Sequence, residues 1–251
     1  MLLSDCKKEA KQRLKTRKLR AFRITFSIGA IGILSAVAAF FLPELFDANA
    51  RDDSLLFVSQ TALGLISFGI SGTLRQGRAA WLYCSACGRE PSFVQFLFWL
   101  RKGRGFRAAF LHTLIRIRKA VWIILLSAPG AAVLTGAALW STQQNDLSRI
   151  VTWTGGCVCL VIGLVFAALI NQKYALAPIL YAKSPEKGVR SAIRGSCFLM
   201  DDSCVRLFLL KLSFLPWAIP GIAILPLMYI VPYYQQSTTC MLCAILHKHT
   251  I

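Results

Sequence analysis

The chain has 251 residues, of which 56% are hydrophobic and 16% are charged, and its mean hydropathy is +0.57. Typical soluble domains carry about 25% charged residues, so this composition excludes a disordered or coiled-coil protein and disfavours a soluble globular domain. Lys and Arg number 29 against 11 Asp and Glu, which gives a net charge of +18. A very apolar chain with this excess of basic residues is typical of a multi-pass membrane protein with basic loops on one side.

The chain opens with a basic segment, residues 1–23, which carries nine Lys and Arg and two acidic residues. We interpret it as a cytoplasmic tail that orients the protein and contacts anionic lipid. A nucleic-acid-binding surface would need aromatic side chains on which bases stack, and the tail lacks them. The sequence therefore predicts no nucleic-acid partner.

Apolar segments long enough to cross a bilayer follow the tail, since about 20 residues of helix span the hydrocarbon core. The last apolar region, 207–246, contains Pro216, Pro220, Pro226 and Pro232, which break or kink a helix, so we divide it near Pro220 or Pro226. A single kinked span there is the alternative, with five spans in all. The six predicted spans are residues 24–42, 55–74, 120–140, 150–170, 207–224 and 225–246.

The charges between these spans predict their orientation. Residues 1–23, 75–119 and 172–211 hold 26 of the 29 basic residues, whereas the loops 43–54 and 141–149 hold two basic residues and five acidic ones. Basic loops stay on the cytoplasmic side, so the pattern predicts a cell-membrane protein with a cytoplasmic N-terminus.

Two amphipathic helices are predicted on the cytoplasmic side, at 92–102 and 185–200. Ser92 is a candidate N-cap of the first, and both place an apolar face beside basic residues, as in helices that lie in the membrane interface. His112, Arg116 and Lys119 recur at helical spacing and form a stripe that suits lipid phosphate. The predicted anionic-lipid contacts are Arg101, Lys102, Arg104, Arg107, Arg116, Arg118, Lys119, Arg190 and Arg194.

Two C-x-x-C pairs are the candidate metal ligands, Cys84 with Cys87 and Cys240 with Cys243. Four thiolates could hold a tetrahedral zinc ion if both pairs met on the cytoplasmic face, which would make the protein a metal or thiol sensor. However, 152 residues separate Cys87 from Cys240, and free cysteine also serves as a small apolar residue. We therefore assign no metal ligand and keep the sensor as an alternative.

No motif of an enzyme is present: the chain lacks a zinc-protease helix, a nucleophile elbow, a phosphate-binding loop and a dinucleotide fingerprint. We predict a non-enzymatic protein without a cofactor. Polar groups in the second, fourth and sixth spans leave a permease for a small solute as an alternative. They are Ser59, Gln60, Thr61, Asn171, Gln172, Gln235, Gln236, Ser237, Thr238 and Thr239.

The last third of the chain, about residues 174–239, contains a recognisable linear pattern. Its residues are Tyr174 to Leu180, Pro185, Ala192, Ile193, Ser196, Met200, Leu207, Phe208, Leu212, Ser213, Phe214, Trp217, Pro232 and Tyr233. This pattern resembles a bacterial family of multi-pass membrane proteins known only as a domain of unknown function. Asp202 stands where the family pattern has a glycine, and Cys243-Ala244 lies where it has an aromatic pair. The resemblance implies an integral membrane protein with no assigned activity.

Together these patterns predict an all-α, polytopic transmembrane bundle: a tail, 1–23, and one helical domain, 24–251. The predicted function is that of a membrane component or an accessory or assembly factor. Its predicted partners are a bilayer containing anionic lipid and, in addition, a membrane-protein partner or a second copy of the chain.

Overall fold

The computed structural model describes residues 3–15, 24–27, 29–30, 33–34, 37, 53–90, 92–100, 104–139, 146–218 and 224–248. This part of the chain is helical and contains no strand, as the sequence predicts. Short 3-10 turns link several of the helices. The α-helices are α1 (Leu3–Lys15), α2 (Asp53–Ala86), α3 (Phe93–Leu97), α4 (Arg104–Leu139), α5 (Asp146–Ile170), α6 (Ala177–Lys183), α7 (Gly188–Met200), α8 (Cys204–Leu212) and α9 (Ile224–Lys248).

Two segments in the described ranges are long and apolar enough to cross a membrane, Arg104–Leu139 and Asp146–Lys183. They contain the predicted third and fourth spans. The second span, 55–74, falls within α2, which continues to Ala86. Most of the first span, 24–42, and the predicted break near Pro220 lie outside the described residues.

Of the predicted fifth span, 207–224, the structure describes 207–218 and 224, and residues 207–218 do not form one continuous α-helix. Helix α8 has nine residues, about 13 Å at 1.5 Å per residue, which is less than half of a hydrocarbon core about 30 Å thick. Its end is a turn in which the Phe214 N–H donates to the Lys211 carbonyl, at 3.1 Å. A 3-10 turn, Leu215–Ala218, then begins next to Pro216, whose ring does not fit a helix interior.

Helices α4 and α5 form a closely packed hairpin. Gly163 is buried, and a Cβ built on it would overlap the carbonyl oxygen of Leu126 on α4. Ala167, one turn further along, is also fully buried, so this small-xxx-small pair brings the two backbones together. Away from this contact the hairpin is uncovered, and its apolar side chains are exposed. They include Ile123, Ile124, Val158, Ile162 and Phe166.

The N-terminal helix belongs to the packed part of the molecule. Cys6, Ala10 and Leu14, spaced four residues apart, are all buried, and α1 packs along α9. Arg13 Nη1 donates to the Ser85 carbonyl at 2.7 Å and also to the Ala86 carbonyl, at the C-terminal end of α2. The segment predicted as a tail therefore has an ordered helix with an apolar face against the protein.

Helix α7 lies within the predicted amphipathic segment 185–200. Its apolar face packs against other helices of the protein, because Ala192 and Ile193 lie in one cluster with Tyr181 of α6 and Leu111 of α4. The other predicted amphipathic segment forms α3 and the 3-10 turn Phe98–Leu100. Ser92 caps α3 as predicted, since its hydroxyl accepts the Val94 N–H at 3.2 Å.

Candidate functional site: a cationic cavity

A cavity of about 310 Å³ lies where α2, α4, α8 and α9 meet. Small-molecule sites in proteins span about 300–1,000 Å³, so this cavity is at the lower end of that range. Five basic side chains line it, and we call it the cationic cavity. They are Arg75 and Arg78 of α2, His112 and Lys119 of α4, and Lys211 of α8.

Helical spacing brings these groups to one place. Arg75 and Arg78 are three residues apart, and His112 and Lys119 are seven apart, so each pair lies on one face of its helix. The two helices approach closely near Gly72, where an added Cβ would lie 3.0 Å from the Cα of Ala109. The close approach aligns the basic face of α2 with that of α4.

Lys211 is held by a neutral partner. Its ammonium group donates to Gln172 Oε1 at 2.6 Å, and Gln172 Nε2 in turn donates to the Ala168 carbonyl at 2.7 Å. Lys211 also lines the cavity. Because its partner is an amide, its positive charge is not neutralised by this contact.

Acidic side chains are absent from the cavity wall in the described part of the chain. The ion pairs found there join Arg13 to Glu9, Arg149 to Asp146 and Lys173 to Asp201, and none of them includes a cavity residue. His112 Nε2 is buried and has no hydrogen-bond partner among the described residues. The cavity therefore concentrates positive charge and hydrogen-bonding groups that other side chains do not satisfy.

The electrostatics of Arg78 reflect this arrangement. Burial, together with the neighbouring charge of Arg75, lowers the pKa of the Arg78 guanidinium from 12.5 to about 10. Arg78 lies beyond the predicted span 55–74 and remains protonated at pH 7. A guanidinium with a lowered pKa in such surroundings is stabilised by a nearby anion.

The remaining wall of the cavity is neutral and contains both polar and apolar side chains. Tyr174 Oη accepts a hydrogen bond from Trp122 Nε1 at 3.2 Å, which leaves its own hydroxyl proton to donate. On α9, Gln235, Thr238 and Thr239 face the cavity. Two of the three polar clusters noted in the sequence thus contribute to the cavity. The α9 cluster lines it directly, and Gln172 contributes by binding Lys211.

The third polar cluster, in the predicted second span, is not brought to the cavity where its side chains are described, since Thr61 is exposed. Asn171 is buried, and its Oδ1 has no hydrogen-bond partner among the described residues. Of the three predicted polar clusters, the α9 cluster lines the cavity and Gln172 binds the cavity residue Lys211.

The predicted lipid-contact residues fall into three groups. Lys119 and Arg116 are half-buried at or near the cavity, and Arg116 lies over the Phe68 ring at 4.4 Å. Arg101 and Lys102 lie outside the described residues. The remaining five are exposed on α4 and α7: Arg104, Arg107, Arg118, Arg190 and Arg194.

The cysteine pairs come together only in part. Cys87, exposed just beyond α2, lies near the buried Cys243 of α9. Cys84 is half-buried and Cys240 is buried. In the ranges that the structure describes, no three His, Cys, Asp or Glu side chains converge as a possible metal site.

Of the five basic residues of the cationic cavity, the sequence predicts two as a group, His112 and Lys119, which form a stripe at helical spacing. Arg75 and Arg78 lie just beyond the predicted second span, which ends at residue 74, so the hydropathy pattern assigns them to a basic loop. The signal that could have placed them is the helix-compatible run from Leu74 to Tyr83, which lacks Pro and contains one Gly. Helix α2 ends only before Gly88, whose φ of +77° glycine adopts readily.

The family of the chain follows from its match to a known family model. The sequence model of a family described as "Protein of unknown function (DUF975)" matches residues 1–248. The chain belongs to this family. The match covers the cationic cavity and α1, and so extends far beyond the 174–239 region on which the resemblance rested. No curated protein and no solved structure matches the DUF975 chain.

Proposed function

We propose that this DUF975 protein is a non-enzymatic integral membrane component, an accessory or assembly factor, whose basic cytoplasmic face contacts anionic lipid. The observation that carries the proposal is the uncovered apolar surface of α4 and α5. In each of the two candidate spans only 11% of the most apolar 18-residue window is buried. A core helix of a soluble protein would be mostly buried, whereas lipid is a solvent in which such a surface is stable.

The distribution of charge supports the orientation. The exposed arginines Arg104 and Arg107 lie at the start of α4, before its apolar part, and Arg190 and Arg194 are exposed on α7. Clusters of Lys and Arg beside a membrane span are attracted to anionic headgroups by about 1 kcal/mol per residue near the surface. The N-terminus and the basic segments are accordingly assigned to the cytoplasmic side.

Two measurements test this proposal. We expect the protein to stay with the membrane after an alkaline carbonate wash, and native mass spectrometry of detergent-purified protein to show retained anionic phospholipid. The double variant Arg190→Gln/Arg194→Gln should retain less of it than the control Arg149→Gln, which removes an exposed charge at the start of α5, outside the basic segments. Release of the chain by carbonate would contradict membrane integration. Equal retention of anionic and zwitterionic phospholipid would contradict the contact with anionic lipid.

A further inference from the structure

The cationic cavity has more positive charge than a structural role requires. Arg75, Arg78, Lys119 and Lys211 carry four charges around about 310 Å³, and His112 adds an imidazole with an unpartnered buried nitrogen. Placing like charges together in a partly buried site is unfavourable unless an anion neutralises them. Arrangements of this kind therefore indicate a ligand, as unbalanced groups in a cleft commonly do.

The number and type of hydrogen-bond donors in the cavity wall favour one class of anion. Two guanidinium groups can each offer paired N–H donors to a tetrahedral oxyanion, and two ammonium groups add point charges. A monocarboxylate would neutralise only one of these cations. A phosphate monoester carries about −1.5 to −2 charges at pH 7 and three acceptor oxygens, which fits the number and type of donors better.

We propose that the cationic cavity binds a phosphate monoester through Arg75, Arg78, Lys119 and Lys211, with the Tyr174 hydroxyl as an additional donor. The volume corresponds to roughly ten water molecules at about 30 Å³ each, which accommodates one phosphate group and a small substituent. The same chemistry occurs in a soluble phosphate and in the headgroup of a phosphatidic acid. Apolar side chains at Leu82 and Ile115 also line the cavity and leave room for either source.

This inference deepens the proposed function, and it rests on that function for the access of a lipid headgroup. Titration calorimetry on the full-length protein in a neutral detergent provides the test. The probes are inorganic phosphate, dihexanoyl phosphatidic acid and, as a zwitterionic reference, dihexanoyl phosphatidylcholine. We expect saturable binding of at least one of the first two and at least tenfold weaker binding of the third.

Matched variants identify the site. Arg78→Gln and Lys119→Gln should each weaken binding at least tenfold, whereas Arg149→Gln, which removes an exposed charge at the start of α5, away from the cavity and from the proposed lipid contacts, should change it less than twofold. Because each cavity substitution removes an unneutralised charge, it should also raise the thermal unfolding midpoint of the ligand-free protein. This second readout separates a lost binding site from a misfolded protein, and two variants are tested so that one unfolded variant does not end the test.

The outcomes are distinguishable. If inorganic phosphate binds and displaces phosphatidic acid, the ligand is a soluble phosphate. If phosphatidic acid binds and inorganic phosphate does not displace it, the ligand is a lipid. Either result supports phosphate recognition. Binding of neither probe, equal binding of phosphatidylcholine, or equal weakening by Arg149→Gln would overturn the proposal. If the protein stays in the membrane after the carbonate wash but binds no phosphate, the phosphate site is refuted and the proposed membrane integration is not.

Discussion

At the scale of single residues, Arg13 joins the N-terminal helix to the rest of the molecule. Its guanidinium donates to the last carbonyls of α2, where the helix dipole is negative and unpaired carbonyls need donors. Glu9, one turn earlier on α1, accepts from the same guanidinium. One side chain thereby serves both as a cap of α2 and as a tether for α1.

We therefore predict that Arg13→Gln destabilises the protein by about 1–3 kcal/mol, the range for a lost hydrogen bond to a charged group. The unfolding free energy in detergent and the protease sensitivity of the first 15 residues measure this effect. Lys11→Gln removes the same charge from an exposed position of the same helix and should have almost no effect. Equal effects of the two substitutions would mean that net charge, and not the contact with α2, is what matters.

The residues of α1 also show what sequence reasoning could detect. The spacing of Cys6, Ala10 and Leu14 forms an apolar stripe along a helix, but the many Lys and Arg around it favour a tail that contacts anionic lipid. The basic composition therefore masks the helical periodicity of the three apolar residues. The partner surface on α9 is formed by residues more than 200 positions away, and a single sequence does not reveal that pairing.

At the scale of elements, glycine controls how closely α4 and α5 approach. Gly163 faces the backbone of α4 at Leu126, whereas Gly155, two turns earlier on α5, has no heavy atom within 4 Å of a Cβ added to it. Both glycines lie in the interior of the same helix, where alanine is intrinsically favoured over glycine by about 0.5–1 kcal/mol. The two positions therefore separate helix propensity from packing.

Gly163→Ala should destabilise the protein by about 1–3 kcal/mol, because the added methyl group forces the helices apart. Gly155→Ala should leave stability unchanged or raise it by up to about 1 kcal/mol. Thermal unfolding in detergent reports both changes. A stabilising Gly163→Ala would show that α4 and α5 do not cross in this way.

The presence of long apolar helices follows from the sequence more directly than their ends do. The apolar runs 120–139 and 150–170 lie within the two candidate spans, because no competing signal interrupts them. The helix α4 begins sixteen residues earlier, at Arg104, since basic side chains continue a helix as readily as apolar ones. Helix α8 ends at Leu212, in the turn before Pro216. Hydropathy does not predict this turn, because the residues around it are apolar.

At the scale of the whole molecule, the distribution of exposed apolar surface separates two regions. Helices α6, α7 and α8 pack with α1 and α9 around buried residues such as Met200 and Leu207, as in a water-soluble core. The hairpin of α4 and α5 extends an exposed apolar surface beyond this region. The central claim is that lipid, not water, covers that surface.

The cysteines of the chain allow this claim to be measured without substitution. Cys157 and Cys159 are exposed on α5, within the apolar candidate span, and Cys87 is exposed just beyond the end of α2. A membrane-impermeant maleimide applied to open membrane fragments reaches groups in water but not groups in hydrocarbon. Mass spectrometry of the digested protein then gives the labelled fraction of each cysteine, before and after denaturation in detergent.

We predict that Cys87 is labelled in the membrane fragments, and that Cys157 and Cys159 become labelled only after denaturation. Rapid labelling of all three cysteines in intact fragments would place α5 in water and would contradict the account.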